Sequence, residues 1–167
     1  FMQNFWWLIL ALAIGGFALF KIWVRSAMGR VAWDTAKVKV PIFGPLFQKI
    51  YIVRFARSFS TLTKGGVPVS SALKITSEVV DNEAYKQLIL DTIKEVEDGN
   101  SVATLFTKSD LMPKMLSQMM SIGEQTGKLD AILEKLADFY TREIDNLVNG
   151  LTALIEPMIL MIMGVGV

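Results

Sequence analysis

Cysteine and histidine are both absent from the 167 residues. Without them no disulfide forms, and most nucleophile–base pairs and the usual zinc ligand sets are excluded. The glycines do not fall in the spacing of a phosphate-binding loop or of a dinucleotide fingerprint, so no cofactor is expected. β-branched alternation nowhere persists for more than a few residues, which removes the signal for strands. A net charge of +1 argues against a general nucleic-acid binder, and direct contact with nucleic acid is not expected. Neither catalysis nor an oxidising compartment has support in the composition.

Charge is also missing from both ends. Positions 5–20 carry none, and 151–167 carry only Glu156, whereas the middle holds every lysine and arginine. The apolar run at 5–24 is long enough to cross ~30 Å of hydrocarbon as a helix. Trp6, Trp7 and Trp23 mark its two ends in the manner of an aromatic belt. No basic residue precedes the run and no small-residue cleavage site follows it, so a secretory signal peptide fits poorly. Lys21, Arg25, Arg30, Lys37 and Lys39 follow, opposed only by Asp34, and by the positive-inside rule the middle of the chain is expected in the cytoplasm. The chain starts at Phe1 and stops within an apolar run, and is expected to be a piece of a longer protein. The expected organisation is a membrane helix at 1–24, a basic juxtamembrane connector at 25–46, a cytoplasmic helical bundle at 47–148 and a second, truncated membrane helix at 149–167.

Within the middle the periodicity is helical. Ile50, Val53, Phe55, Phe59 and Leu62 make one face of a first helix that should stop at Gly65-Gly66. Pro68 suits the first turn of the next, which offers Val69, Ala72, Leu73 and Ile75 to a core. Asp81 or Asn82 is placed to cap a third helix at 83–97, with Leu88, Ile89, Ile93 and Val96 inward. A short fourth element follows Gly99-Asn100-Ser101. Pro113 opens a fifth, whose apolar positions are Met115, Leu116, Met119, Met120 and Ile122. The last stretch, from Lys128 onward, puts Leu129, Ile132, Leu133, Leu136, Phe139 and Tyr140 on one stripe, with Gly150 and Pro157 as its candidate breaks. Short connections make successive helices antiparallel neighbours. The expected fold is therefore all-α: an antiparallel bundle of about six helices flanked by transmembrane helices.

Acids cluster at Glu95, Glu97 and Asp98 and again at Glu143 and Asp145, a pattern that suits solvated faces better than metal sites. The basic excess through Lys49, Arg54 and Arg57 suits attraction to anionic headgroups, with a specific partner site as the alternative. Glu124, between Gly123 and Gly127, has three readings: an acceptor for a helix start, a neutraliser of a buried base, or an ordinary turn acid, which the spacing favours. Glu156 is costly if it faces lipid, and calls for a neighbouring helix, a polar pocket or an interfacial depth. Pro157 beside it is a candidate kink.

Taken in order, these residues resemble a known family. Pro41-Ile42-Phe43-Gly44-Pro45-Leu46, Arg54-Phe55-Ala56-Arg57-Ser58-Phe59 and Gly65-Gly66-Val67-Pro68-Val69 are followed by Gly99-Asn100-Ser101 and Pro113. Gly123-Glu124-Gln125-Thr126-Gly127-Lys128-Leu129, Leu136-Ala137-Asp138-Phe139-Tyr140 and Glu156-Pro157 complete the set. The set is similar to the type II secretion system F domain, found in the inner-membrane platform protein of type IV pilus and type II secretion machines. The resemblance implies a multi-pass protein of a bacterial or archaeal inner membrane, without catalytic activity. Its implied partners are a hexameric assembly ATPase, pilin or pseudopilin subunits, other inner-membrane assembly proteins, membrane lipids and further copies of itself. The interaction candidates it marks are Arg54, Arg57, Gly65, Gly66, Pro68, Gly123, Glu124, Gly127, Glu156 and Pro157. A competing reading is a transporter or channel subunit with Glu156 on an ion path, and another is a receptor with a helical output domain.

Overall fold

Proline and glycine set where the helices begin and end. The computed structural model describes residues 43–166, and every regular element among them is an α-helix. These are α1 (Gly44–Lys64), α2 (Val69–Val79), α3 (Glu83–Glu97), α4 (Ala103–Lys108), α5 (Lys114–Gln125) and α6 (Leu129–Gly166). The expected membrane helix at 1–24, most of the connector at 25–46 and the side chains of Glu156 and Pro157 lie outside the described residues. α1 begins at Gly44, earlier than the expected connector allows, because Pro45 sits in the first turn, where its missing N–H is no loss. Pro68 and Pro113 stand just before α2 and α5 in extended geometry. Asn82 caps α3, its Oδ1 accepting from the Tyr85 N–H at 3.1 Å.

The C-termini of α1, α3 and α5 close in the same way. The N–H of Val67 donates to Leu62 O at 3.0 Å, that of Asn100 to Glu95 O at 2.8 Å, and that of Lys128 to Gly123 O at 2.8 Å. In each case the residue before the donor is a glycine at positive φ: Gly66 at 77°, Gly99 at 85° and Gly127 at 66°. This is the Schellman closure, which needs a left-handed residue that a side chain would strain. The three glycines therefore stop their helices and turn the chain back.

Each helix packs against the next in sequence, and α1 packs against α6, so the bundle closes into a ring. Phe55 lies at the centre, 5.5 Å from the ring of Phe59 and 5.2 Å from that of Phe106 in an edge-to-face contact. Ile52, Leu73, Tyr85, Ile89, Leu116, Met120 and Leu133 complete this fully buried core, each large side chain contributing roughly 1.5–3 kcal/mol by burial. The Tyr85 hydroxyl donates to Leu111 O at 2.7 Å and Gln48 Nε2 donates to the same oxygen at 3.0 Å, which fastens the α4–α5 loop to α1 and α3. Burial pushes the Tyr85 phenol well above its ordinary range.

Not every expected core residue is inside. Ile75, Met115, Ile122 and Phe139 are exposed. The burying stripe of α2 runs through Ala72, Leu73, Thr76 and Ser77, so Ile75 and Val79 extend its apolar face beyond what α1 and α3 cover. Conversely, Tyr51, Ile52, Ala56 and Tyr85 are buried, and none was expected inside.

α6 is a single helix of 38 residues, about 57 Å long at ~1.5 Å per residue, and continues past both Gly150 and position 157. Its first half contributes Leu133, Leu136, Ala137 and Tyr140 to the core, and its later Ile159, Leu160, Met161 and Met163 are exposed. Among the described residues no helix is long and apolar enough to cross a membrane; the expected span at 149–167 includes positions outside them.

Candidate functional site

The residues marked by the sequence fall into separate places on the ring. Gly123, Glu124 and Gly127 lie at the end of α5, where Glu124 meets Ser101 at the start of α4. The Glu124 carboxylate accepts from the Val102 N–H, at 3.2 Å to Oε1 and 3.1 Å to Oε2, and from the Ser101 hydroxyl. Ser101 Oγ in turn accepts from the Ala103 N–H at 3.1 Å. The first of the three readings of Glu124 therefore holds: it receives the Val102 N–H at the start of α4, where Ser101 takes the next one, that of Ala103. Gly123 is buried for a different reason. A Cβ there would come within 3.1 Å of the Leu129 backbone and 3.3 Å of Ile132 Cδ1, so the glycine lets α5 and α6 approach. Gly127 supplies the turn between them.

Gly65, Gly66 and Pro68 form the α1–α2 turn, where they stop one helix and start the next. All three are exposed.

Arg54 and Arg57 lie one turn apart on α1. Arg54 Nη1 is 3.4 Å from Asp81 Oδ2 and 3.5 Å from Val80 O, at the end of α2. Asp81 is held at a φ of 57°, a left-handed conformation that aspartate tolerates better than most side chains. Arg57 Nη2 is 3.5 Å from Asp138 Oδ1 on α6. Lys49 makes a closer pair, Nζ to Glu143 Oε2 at 2.8 Å, and lies 5.9 Å from the centre of the Tyr140 ring. Burial and the neighbouring Glu143 both push the Tyr140 phenol up. Lys49, Arg54 and Arg57, expected to attract headgroups, thus each face an acid of the bundle itself; the bases before them lie outside the described residues.

Lys64 pairs with Glu134 at 3.5 Å, and the Ser60 hydroxyl donates to Asp130 O at 2.8 Å. The seam therefore runs from Lys49 beside Glu143 to Ser60 beside Asp130, with α1 and α6 antiparallel. The start of α1 lies level with the point where α6 leaves Glu143 for its nearly uncharged half. The chain enters and leaves the ring at one end. Sequence reasoning missed this seam, because its partners are 70 to 94 residues apart; the only signal was that bases crowd α1 while acids recur along the start of α6.

Among the described residues no group of carboxylates gathers in a way that could hold a metal ion. The acids at 95–98 include Glu95, whose Oε2 accepts from Asn100 Nδ2 at 2.8 Å, a local end-cap contact.

The sequence profile described as "Type II secretion system (T2SS), protein F" matches residues 55–167. The chain is 36% identical over 167 residues to the type IV pilus assembly protein PilC of Pseudomonas aeruginosa, covering 99% of this chain and 44% of that protein. It is 35% identical over 140 residues to the type IV pilus assembly protein PilC of Myxococcus xanthus, covering 84% of this chain and 34% of the relative. Similarity to the type II secretion system protein F of Aeromonas hydrophila is 31% over 163 residues, covering 97% and 42%. The chain spans between a third and a half of the length of these relatives.

Proposed function

The chain belongs to the type II secretion system protein F family, and on that premise we propose that it is part of a non-enzymatic inner-membrane platform of a type IV pilus or type II secretion machine. In this reading the ring of helices lies on the cytoplasmic side and receives a hexameric assembly ATPase. The apolar stretches at 1–24 and 149–167 lie in the membrane, where they meet pilin or pseudopilin subunits and other assembly proteins.

The observation that carries the reading is the shared end of the ring at which α1 begins and α6 departs. Two membrane helices on one side of a bundle require such an arrangement, since a chain entering and leaving at opposite ends would have to double back. A second support is the unbroken α6. A helix without a loop between the ring and its apolar half transmits displacement or rotation with little loss, which is what coupling a motor to subunits in the membrane demands. The ion-paired seam holds α1 to α6 just below the departure point, so that motion of the ring moves both exits together.

The test is photocrosslinking in cells from Lys128, which is exposed at the end of the ring far from the apolar half. Recovery of a hexameric ATPase as the trapped protein supports the platform reading. Capture of an ion-translocating membrane protein instead, with ion flux in liposomes that Glu156→Gln abolishes, supports the channel-subunit alternative.

A further inference from the structure

On the outer side of the α1–α2 hairpin runs an open groove of about 540 Å³, lined on α1 by Val53 and Leu62 and on α2 by Ile75 and Val79. Ile75 and Val79 are each 47% exposed, and as an i, i+4 pair they make a ridge parallel to the helix axis. Apolar residues exposed in a row beside a concave wall mark a docking site more often than scattered surface residues do. Arg54 and Arg57 stand in the same wall, and no carboxylate lines it.

We infer that this groove is a docking site for an amphipathic helix of another protein, with aliphatic residues spaced i, i+3/i+4 and flanked by glutamates or aspartates. The shape is that of the space between two antiparallel helices, which accepts a third by ridges into grooves. The charge selects the occupant. Arg54 is held by a 3.4 Å pair with Asp81 and a 3.5 Å contact with Val80 O, and Arg57 by a 3.5 Å pair with Asp138, all long, with side chains 44% and 61% exposed. Such open pairs are worth little, so each guanidinium is free to swing to a carboxylate that arrives with better geometry. Lys49, in its 2.8 Å pair, is not.

A lipid surface and a second copy fit less well. If the shared end of the ring faces the membrane, as proposed above, Val53 and Leu62 lie nine and eighteen residues past Gly44. That is about 14–27 Å down α1 at ~1.5 Å per residue, below the headgroups. A second copy docked face to face would bring its arginines against these two.

The test uses the full chain in its native membrane with a photocrosslinking residue at Ile75 and, separately, at Val79; both side chains are exposed, and the substitutions leave the core intact. The trapped segment is identified by mass spectrometry, synthesised as a labelled peptide, and titrated onto the purified full chain in nanodiscs. The expected segment is acidic and amphipathic. Its affinity falls at least ten-fold with Arg54→Glu/Arg57→Glu and falls with added salt, while Arg54→Lys/Arg57→Lys retains most of it and the glutamate-to-lysine peptide does not bind. Unchanged melting of the charge-reversed variant shows that the loss is not unfolding. Adducts only to lipid or to a second copy, no adduct at either position, a trapped segment without acids, or an affinity indifferent to both arginines each overturn the inference. Crosslinking from Lys128 reports on the platform reading separately, so failure of one is not failure of the other.

Discussion

The two halves of α6 share one backbone and differ in what surrounds them. Below Glu143 the helix buries Leu133, Leu136, Ala137 and Tyr140 in the ring, and its acids face the bases of α1. Beyond Val148, Ile159, Leu160, Met161 and Met163 are exposed, Leu160 to 64% and Met161 to 69%. Charge already separates the halves, since 148–167 carry only Glu156. Packing separates them too: the bundle supplies a partner surface to the first half, and the second half has a composition that water penalises unless another apolar phase covers it.

The largest contrast is expected from truncating leucines in each half. Leu133→Ala should cost the ring about 2–5 kcal/mol, the range for a buried leucine, whereas Leu160→Ala should leave the urea midpoint of the ring unchanged to within about 0.5 kcal/mol. Equal losses would mean that the second half packs on the ring after all.

Glycines give the next contrast. Gly123→Ala forces a methyl group against the Leu129 backbone and should destabilise by about 1–3 kcal/mol. At Gly150 a Cβ meets nothing within 4 Å, so Gly150→Ala should stabilise α6 by up to about 1 kcal/mol as a better helix former. Thermal melts of the two variants should therefore move in opposite directions.

The packed region also carries a pH response. Tyr85 and Tyr140 both have phenols raised by burial. In the unfolded chain these groups ionise near pH 10, while folding raises both, so stability is intact below that pH and falls as pH rises above it, until the folded phenols ionise too. The slope should approach about 1.4 kcal/mol per pH unit for Tyr85, whose phenol is raised furthest, and Tyr140 should add to it in the same direction. Tyr140→Phe should flatten it, as read by urea melts between pH 9 and 11.

The smallest effect belongs to the seam. Lys49→Gln should cost about 1 kcal/mol or less, and the difference from the parent should shrink with salt. Arg57→Gln, whose pair is longer and more exposed, should cost less still.

The architecture was legible in local chemistry. Helix periodicity, Pro68 and Pro113 before helices, and Gly66 and Gly99 after them are short-range signals, and α3 runs over the expected 83–97, whereas Pro45, expected in the connector, opens α1. Buried faces were less legible. Ile75 and Ile122 continue apolar stripes, and periodicity does not say where a neighbouring helix stops covering them; Tyr51 and Tyr85, whose rings pack 5.4 Å apart, belong to a contact across two helices. The role of Glu124 could not be read from spacing, because its donors at Ser101 and Val102 lie 23 and 22 residues away and only the fold brings them to it. The two glycines around it were visible, and they act differently. Gly123 lets two helices approach, and Gly127 closes a helix end.

The central claim is that the ring lies outside the membrane and the second half of α6 within it. The absence of native cysteine allows single cysteines to be placed along α6 without background. The decisive measurement is labelling of such cysteines, at exposed positions from Glu134 to Met163, by a membrane-impermeant maleimide in opened cells. The account predicts labelling through Asp145 and protection at Ile159, Leu160 and Met163 until detergent is added. Free labelling at those three positions before detergent would contradict it.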